Sequence, residues 1–306
     1  MADAGVAGPS GGQLSEGPAA GLAAELLART TFPPTGTAVT CAVSGGADSL
    51  ALLILAVAAG CRTTAVHVDH CLRAGSAAEA DVVRAVAEAF GAGFRAERAP
   101  VEPGPNLEAR ARAARYAVLP ADVLTGHTAD DQAETVLLNL VRGAGLDGLA
   151  GMGPEGHPLL ALRRTETRAL VAACGLTPVE DPSNADPSFR RNRVRAELMP
   201  LLDAIAERDV AAVLARQARL LGEEARLLDE LAAALDPTDA RALAAAPAPL
   251  ARRAVRRWLV TGRPHPPSSA AVERVLEVAR GRARATEVDD GRRVSRRGGR
   301  LRIAQR

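Results

Sequence analysis

The chain has 306 residues, of which 47% are hydrophobic and 24% charged, and its net charge is +2. These values place it with globular proteins of more than one domain and argue against a disordered chain. No run approaches the roughly 20 apolar residues that span a bilayer, so no membrane segment is expected. The N-terminus lacks the basic start and apolar run of a signal peptide, and a cytoplasmic location is the expectation. All 38 basic residues are arginine and none is lysine. A Walker A loop, a Schiff base and a pyridoxal site are ruled out, since each needs a lysine.

Charge is unevenly spread. Residues 250–306 hold 16 arginines against 5 acids, a surplus of 11, whereas residues 1–249 hold 22 against 31. A basic tail on an acidic body points to a polyanion partner, nucleic acid above all. A solvated arginine-rich surface is the plainer alternative. Cys41, Cys61, Cys71 and Cys174 form no C-x-x-C pair and match neither a zinc-ribbon nor an iron–sulfur spacing. Reduced thiols are the simplest account.

Residues 1–17, rich in Gly, Ala, Ser and Pro, read as a disordered tail. Residues 18–31 read as a short helix closed by Pro33-Pro34. Strand and helix then alternate four times. The expected strands are 37–43, 63–68, 94–99 and 122–125; the expected helices are 48–59, 77–90, 107–119 and 129–141, the third capped by Asn106. This alternation predicts an α/β fold, a parallel Rossmann-like sheet with helices on both faces. Ligands of such sheets sit beyond the carboxyl ends of the strands. After about residue 200 the pattern becomes helical. Leu214, Leu221, Leu228 and Leu235 recur every seven residues, as in a coiled-coil seam or, more simply, a core helix. Shorter helices broken by prolines fill 236–285, and turn signals at Asp290-Gly291 and Gly298-Gly299 suggest a small β-hairpin or ribbon over 286–303.

Polar motifs follow the expected strands. Ser44-Gly45-Gly46-Ala47-Asp48-Ser49 lies between a strand and a helix. Its glycines let backbone N–H groups approach an anion, the helix dipole adds positive potential, and Ser44 and Ser49 add hydroxyls. Asp48 would suit such a site by holding Mg²⁺ on the phosphates. A capped βα turn is the alternative reading. Val68–Arg73 ends the second strand, where Asp69 takes the place of an acid near a ribose or adenine. A zinc cluster of His67, Asp69, His70 and Cys71 is disfavoured, because His70 leaves the face the others share. Arg112 and Arg115 share a helix face with Glu108, either as a surface ion-pair helix or as a clamp on phosphates. In Gly126–Thr135, Asp131 and Glu134 share a face near a helix N-terminus, as capping acids or as site acids. His127 stands just before them as a capping, core or ligand residue.

Ser-Gly-Gly-x-Asp-Ser resembles the PP-loop of the ATP pyrophosphatases, which split ATP into AMP and pyrophosphate without a Walker lysine. The ordered set resembles one subfamily, the tRNA(Ile)-lysidine synthetases. The likeness runs through Ser44–Ser49, Val68–Arg73, Ala111–Tyr116, Gly126–Glu134, Arg142–Gly145, Gly148–Met152, Pro158–Leu160, Asp181–Asn184 and Phe189–Arg195. It covers most of 37–202. His157 departs from it, since an arginine is usual before Pro-Leu-Leu.

The resemblance implies ligation of free L-lysine to C2 of the wobble cytidine of a CAU-anticodon isoleucine tRNA. An adenylate on the C2 oxygen would form first, lysine would displace AMP, and decoding would change from AUG to AUA. ATP with Mg²⁺ would be required. Ser44 to Ser49, Asp69 and His127 would bind ATP; Arg112 and Arg115 would stabilise the leaving pyrophosphate. Asp48 and Asp131 would hold the metal, and Asp131 and Glu134 the lysine ammonium. Arg190, Arg191, Arg193 and Arg195, with Arg252, Arg253, Arg256 and Arg257, would contact tRNA phosphates. Tyr116 and Trp258 read as packed residues, because aromatics at 2% make a stacking platform improbable. The expected organisation is a tail and short helix over 1–35, a catalytic domain over 36–202 and a basic helical tRNA-binding domain over 203–306, without the extra C-terminal domain of longer relatives. A homodimer is compatible with the sequence but not specified by it. A PP-loop tRNA thiolase and a silent RNA-binding relative are the competing readings. The first lacks its cysteine pair; the intact acids argue against the second.

Overall fold

The computed structural model describes residues 17–71, 76–102, 104, 107–179, 186–261, 266–288 and 291–305. The expected tail up to residue 16, Leu72-Arg73, Asn106, Asp181–Asn184, Pro264 and Asp290 lie outside the described residues, as does the side chain of Glu108. The chain divides into two compact units, Met1–Arg219 and Leu220–Arg306.

In the first unit, α1 (Pro18–Leu27) precedes the alternation β1 (Ala38–Ala42), α2 (Ala47–Ala58), β2 (Arg62–Asp69), α3 (Ser76–Ala89), β3 (Gly93–Arg98), α4 (Leu107–Val118), β4 (Leu124–Thr125) and α5 (Ala129–Val141). All strand pairs are parallel and the order is β3-β2-β1-β4. The chain moves outward through β2 and β3, then crosses back to β4 on the other side of β1. The switch point therefore lies between the carboxyl ends of β1 and β4, where ligands of open α/β sheets bind. β4 is shorter than expected, because residues 120–123 form a turn closed by Val123 N–H on Pro120 O.

Helix α2 is buried on every side from Leu50 to Ala56, as befits a helix within a core. It packs with residues of α1, α3 and α7 (Arg164–Ala173) in the main core, while Val66, Leu119 and Val123 form a second cluster. After α5 come α6 (Leu146–Leu149) and α7, then α8 (Arg190–Arg193), a π-helical turn (Val194–Leu198) and α9 (Met199–Ala206).

Helix α10 (Val210–Ala233) carries Leu214, Leu221 and Leu228 of the leucine heptads, and Leu235 follows just beyond it. Its buried residues are Ala211, Ala218, Ala225 and Ala232, also seven apart, with the leucines only partly buried beside them. The seam is thus alanine backed by leucine, which lets a neighbouring backbone approach closely. The second unit adds α11 (Ala240–Ala245), α12 (Ala248–Val260) and α13 (Ser269–Ala279), then β5 (Ala285–Val288), β6 (Arg292–Arg297) and β7 (Arg300–Gln305). These strands form an antiparallel sheet in the order β5-β6-β7, one strand more than a hairpin. Its buried residues Val288, Val294 and Leu301 join α11, α12 and α13 in one core, against which Trp258 packs. No helix among the described residues is long and apolar enough to cross a membrane.

Ala232 is fully buried, and its carbonyl accepts from Arg257 Nη2 at 3.2 Å. Ala232→Leu should overpack this contact and cost about 1–3 kcal/mol, read as a lower urea midpoint at unchanged m-value.

Candidate active site

A cavity of about 850 Å³ opens at the switch point, within the usual range for small-molecule sites. Its floor is the loop from Ser44 to Ser49 and its opposite wall the β4–α5 loop at Thr125, Gly126 and His127. Arg115, Tyr116, Arg164, Arg168 and Arg195 also line it.

The loop is folded by its own hydroxyls. Ser49 Oγ donates to Gly46 O at 2.8 Å and accepts from Ser44 N–H at 3.1 Å, with Ser44 Oγ 3.3 Å away. Gly45 has φ +88° and its carbonyl accepts from Val179 N–H, so only glycine turns here without strain. No side chain caps the start of α2; Ser49 N–H is taken by Gly46 O, while the N–H groups of Ala47 and Asp48 have no acceptor among the described residues and are open to an anion. Gly126 is needed for proximity: a Cβ there would stand 2.6 Å from Asp48 O.

Beside the loop lies an ion network that begins on α7. Arg164 donates to Asp48 Oδ2 at 3.3 Å, Asp131 Oδ1 at 2.9 Å and Glu134 Oε1 at 3.2 Å. Arg191 bonds Glu134 at 2.7 Å and Asp131 at 3.1 Å. Arg195 holds Glu134 through Nε at 2.7 Å and Nη2 at 3.1 Å. Thr167 donates to the other Asp48 oxygen. Asp131 Oδ2 accepts from Thr128 N–H and Oγ1, both at 2.9 Å, so Asp131 caps α5 and joins the network at once. Burial raises the Asp48 pKa beyond what Thr167 and Arg164 offset. Burial also pushes on Asp131, but Arg164 and Arg191 outweigh it and hold that carboxylate below its ordinary value.

This network corrects two expectations. Arg191 and Arg195 are turned onto buried acids instead of presenting an outer phosphate grip, because Glu134, only 2% exposed, needs compensating charge. Asp48 and Asp131 do not fit Mg²⁺ in this arrangement: all four carboxylate oxygens are engaged, and Arg164 bridges the pair. Among the described residues no group of three His, Cys, Asp or Glu could hold a metal.

The other expected residues are placed as follows. Arg115 lines the cavity, is crowded enough for its pKa to be lowered by burial, and has no acidic partner among the described residues. Arg112 lies over the Tyr116 ring at 5.0 Å, and Tyr116 is 38% exposed at the cavity wall, not packed as expected. Asp69 accepts from Cys71 N–H at 2.8 Å and is not among the cavity-lining residues. His67 and His70 bond the carbonyls of Val43 and Ala99. Arg190 is exposed and Arg193 pairs with Glu197. On α12, Arg252 pairs with Glu273, Arg253 with Asp229, and Arg256 and Arg257 donate to backbone carbonyls, so these four are engaged within their own unit. Arg164, Thr167 and Arg168 were missed. Their spacing on one face of α7 was the only local signal, and it also reads as a solvated helix.

His127 and His157 converge on Thr125 Oγ1, at 2.7 and 2.6 Å. Burial is the main cause of a His127 pKa near 4, and it also lowers that of His157, with Arg112 adding to it. His127 is thus a neutral imidazole at neutral pH.

A parallel sheet with this loop at its switch point defines a PP-loop nucleotide-binding domain. The PP-loop domain model matches residues 22–202, and the TilS substrate binding domain model matches 239–302. The tRNA(Ile)-lysidine synthase of Nocardia farcinica is 45% identical over 246 residues, 75% of this chain and 77% of the relative. That of Mycolicibacterium paratuberculosis is 48% identical over 238 residues, 72% and 74% of the two chains. The chain belongs to the tRNA(Ile)-lysidine synthase family, and is an enzyme of that family. Among solved structures, the U34-tRNA thiolase NcsA from Methanococcus maripaludis shares the fold, with a TM-score of 0.52 at 16% identity over 66% of this chain and 79% of that one.

Two outcomes follow from this geometry. Gly126→Ala should force the Asp48 backbone away and lower nucleotide affinity at least tenfold, measured by calorimetric titration with a non-hydrolysable ATP analogue. For His127 the unfolded chain, with a pKa near 6.5, takes up its proton first as pH falls. Stability is therefore lost between about pH 6.5 and 4, by about 3 kcal/mol. His127→Asn should flatten that part of the profile relative to the parent in urea unfolding.

Proposed function

We propose that this protein uses ATP to ligate free L-lysine to C2 of the wobble cytidine of a CAU-anticodon isoleucine tRNA, in the cytoplasm. The observation that carries this reading is the convergence, in one cavity of a family member, of a glycine-rich loop at a helix start, two arginines without an acidic partner among the described residues, and Asp131, behind which Glu134 is buried in the same ion network.

ATP would lie with its phosphates on the amides of Gly45 to Asp48 and the hydroxyl of Ser44. Four arginines line the cavity. Arg164 and Arg195 are paired with acids; Arg115 and Arg168 have no acidic partner among the described residues. Those two supply the positive charge that the departing pyrophosphate develops when the cytidine C2 oxygen attacks the α-phosphate. His127 remains neutral and bonded through Nδ1, suited to a hydrogen bond with nucleotide, not to charge compensation. The lysine ammonium belongs at Asp131 and Glu134, where a carboxylate both binds it and takes its proton before attack. Three acids and three arginines make the network neutral, so an incoming ammonium must displace a guanidinium. Arg195, with 34% side-chain exposure against 24% and 16% for Arg191 and Arg164, is the one placed to leave. Residues 36–202 would then form the catalytic domain and 203–306 the tRNA-binding one.

The thiolase reading finds no cysteine lining the cavity: Cys41 and Cys61 are buried, with burial raising the pKa of both thiols, and the exposed Cys71 is held by Arg98 outside the lining.

The test is incorporation of radiolabelled lysine into isoleucine tRNA transcript, with elongator methionine tRNA as control. Label should enter only the isoleucine tRNA, and Glu134→Gln should raise the KM for lysine at least tenfold. Pyrophosphate release that depends on tRNA, without lysine incorporation, would show a different nucleophile and sink this reading.

A further inference from the structure

The second unit offers its own arginines in two different settings, and the sheet register separates them. In β6, residues Arg292, Val294 and Arg296 point to one side; Arg293, Ser295 and Arg297 point to the other. Val294 is fully buried, so the first side faces the helices. The partners opposite Val294 and Arg296 are Ile303 and Leu301, both packed in the same core. The inner arginines are used there: Arg292 donates to Leu259 O at 2.7 Å and Arg296 to Ala279 O at 2.9 Å. These carbonyls end α12 and α13, where a guanidinium meets both free acceptors and the negative end of the dipole.

The outer side is different. Arg293, Arg297, Arg300 and Arg302 all stand on it, and all four are exposed. Arg297 is directly opposite Arg300, while Arg302 faces Ser295 one step along the sheet. Like charges placed directly opposite in adjacent strands destabilise a sheet. The only acid on this face, among the described residues, is Glu287, opposite Arg293. Asp236 and Thr238 hold Arg300 from the side. Arg293, Arg297 and Arg302 have no ion pair among the described residues. By contrast, the α12 arginines Arg252 and Arg253 have acidic partners, and Arg256 and Arg257 backbone ones.

We infer that the outer face of β6 and β7, centred on Arg293, Arg297 and Arg302, is the surface that grips RNA phosphates, and that α12 is not. Arg302, opposite Ser295, stands diagonal to both Arg293 and Arg297, and three guanidiniums without an ion pair among the described residues repel one another on one face, a repulsion that a bound polyanion relieves. Planar forked donors suit phosphate oxygens, and a paired sheet fixes the spacing of the backbone that carries them. The face has no exposed aromatic ring, so it reads backbone charge and not bases. This inference locates the tRNA contact of the proposed function but is measured by binding alone, independently of lysine transfer.

The experiment uses the full-length protein and isoleucine tRNA transcript, with affinity measured by fluorescence anisotropy from 50 to 300 mM KCl. The triple variant R293Q/R297Q/R302Q should lose roughly 10- to 100-fold in affinity at low salt. It should also lower the slope of log K against log salt by about 2–3, near one per phosphate contact removed. Arg→Lys at the same three positions should restore most of the slope, which a purely structural role would not require. The pair R252Q/R256Q should change the slope by less than one. An unchanged slope in a triple variant with parental thermal unfolding overturns the inference, and so does a larger loss in the α12 pair than in the sheet variant. Loss of binding with no lysine incorporation by the parent would keep the surface and reject the proposed reaction.

Discussion

Arg164 is the tie on which the catalytic site depends. Its guanidinium reaches Asp48 on the helix that follows the loop, and Asp131 and Glu134 on the helix that follows β4. Segments that lie 30, 33 and 116 residues from Arg164 in the chain thereby meet at one planar group. Burying carboxylates costs several kcal/mol each unless charge and hydrogen bonds compensate. Arg164 cannot deprotonate, so its compensation persists at any pH the protein meets. The acids raise its already high pKa despite its burial. Arg163 next to it clamps Asp130 through two bonds at 3.0 and 2.9 Å, which fixes α7 against α5 from the other side. The energetic role of the pair is orientation: it holds the acid-bearing helix and the loop-bearing helix in one register.

That register matters because of the sheet order. β1 and β4 are neighbours, so the loops that leave them face each other across the switch point. The close approach is possible only with Gly126 beside the Asp48 carbonyl. The Ser44–Ser49 loop is closed by Ser49 Oγ, which links Ser44 N–H to Gly46 O, and is tied from outside by Val179 N–H on Gly45 O. Gln132 extends the same organisation outward: its side-chain amide donates to Met152 O at 2.9 Å and accepts from Met152 N–H at 2.8 Å, pinning the segment after α6 to α5. A rigid cavity wall thus arises from backbone geometry and a few polar clasps.

What the sequence disclosed followed the range over which its signals act. The loop was legible because strand, glycines and helix start are contiguous, and the alternation of 37–141 predicted the parallel sheet for the same reason. Asp131 and Glu134 were legible as acids sharing a face, but their arginine partners were not. Arg191 and Arg195 looked like a basic grip because charge density is visible in sequence whereas the acids they neutralise lie about 60 residues away. Arg164, Thr167 and Arg168 sit in Arg-Arg-Thr-Glu-Thr-Arg, a stretch that reads as an ordinary polar helix start. The leucine heptads were visible, yet the buried positions are the alanines between them, because small residues carry no hydrophobic signal of comparable size.

In a chain with no lysine, every positive charge is an arginine, and the basic count alone cannot separate structure from binding. Pairing separates them. Arginines committed to acids or to helix-end carbonyls hold elements together: Arg164 at the site, Arg253 on α12, Arg292 and Arg296 beneath the sheet. An acidic partner cancels the field locally, whereas a helix-end carbonyl offsets it only in part but fixes the guanidinium in place. Among the described residues, Arg115 and Arg168 in the cavity have no acidic partner, and neither have Arg293, Arg297 and Arg302 on the sheet. The surplus of 11 in residues 250–306 therefore overstates the charge offered by α12 and understates how sharply it is focused on one sheet face. A polyanion senses uncompensated charge, so the two clusters of unpaired arginine, one enclosed and one open, match two anions of different size.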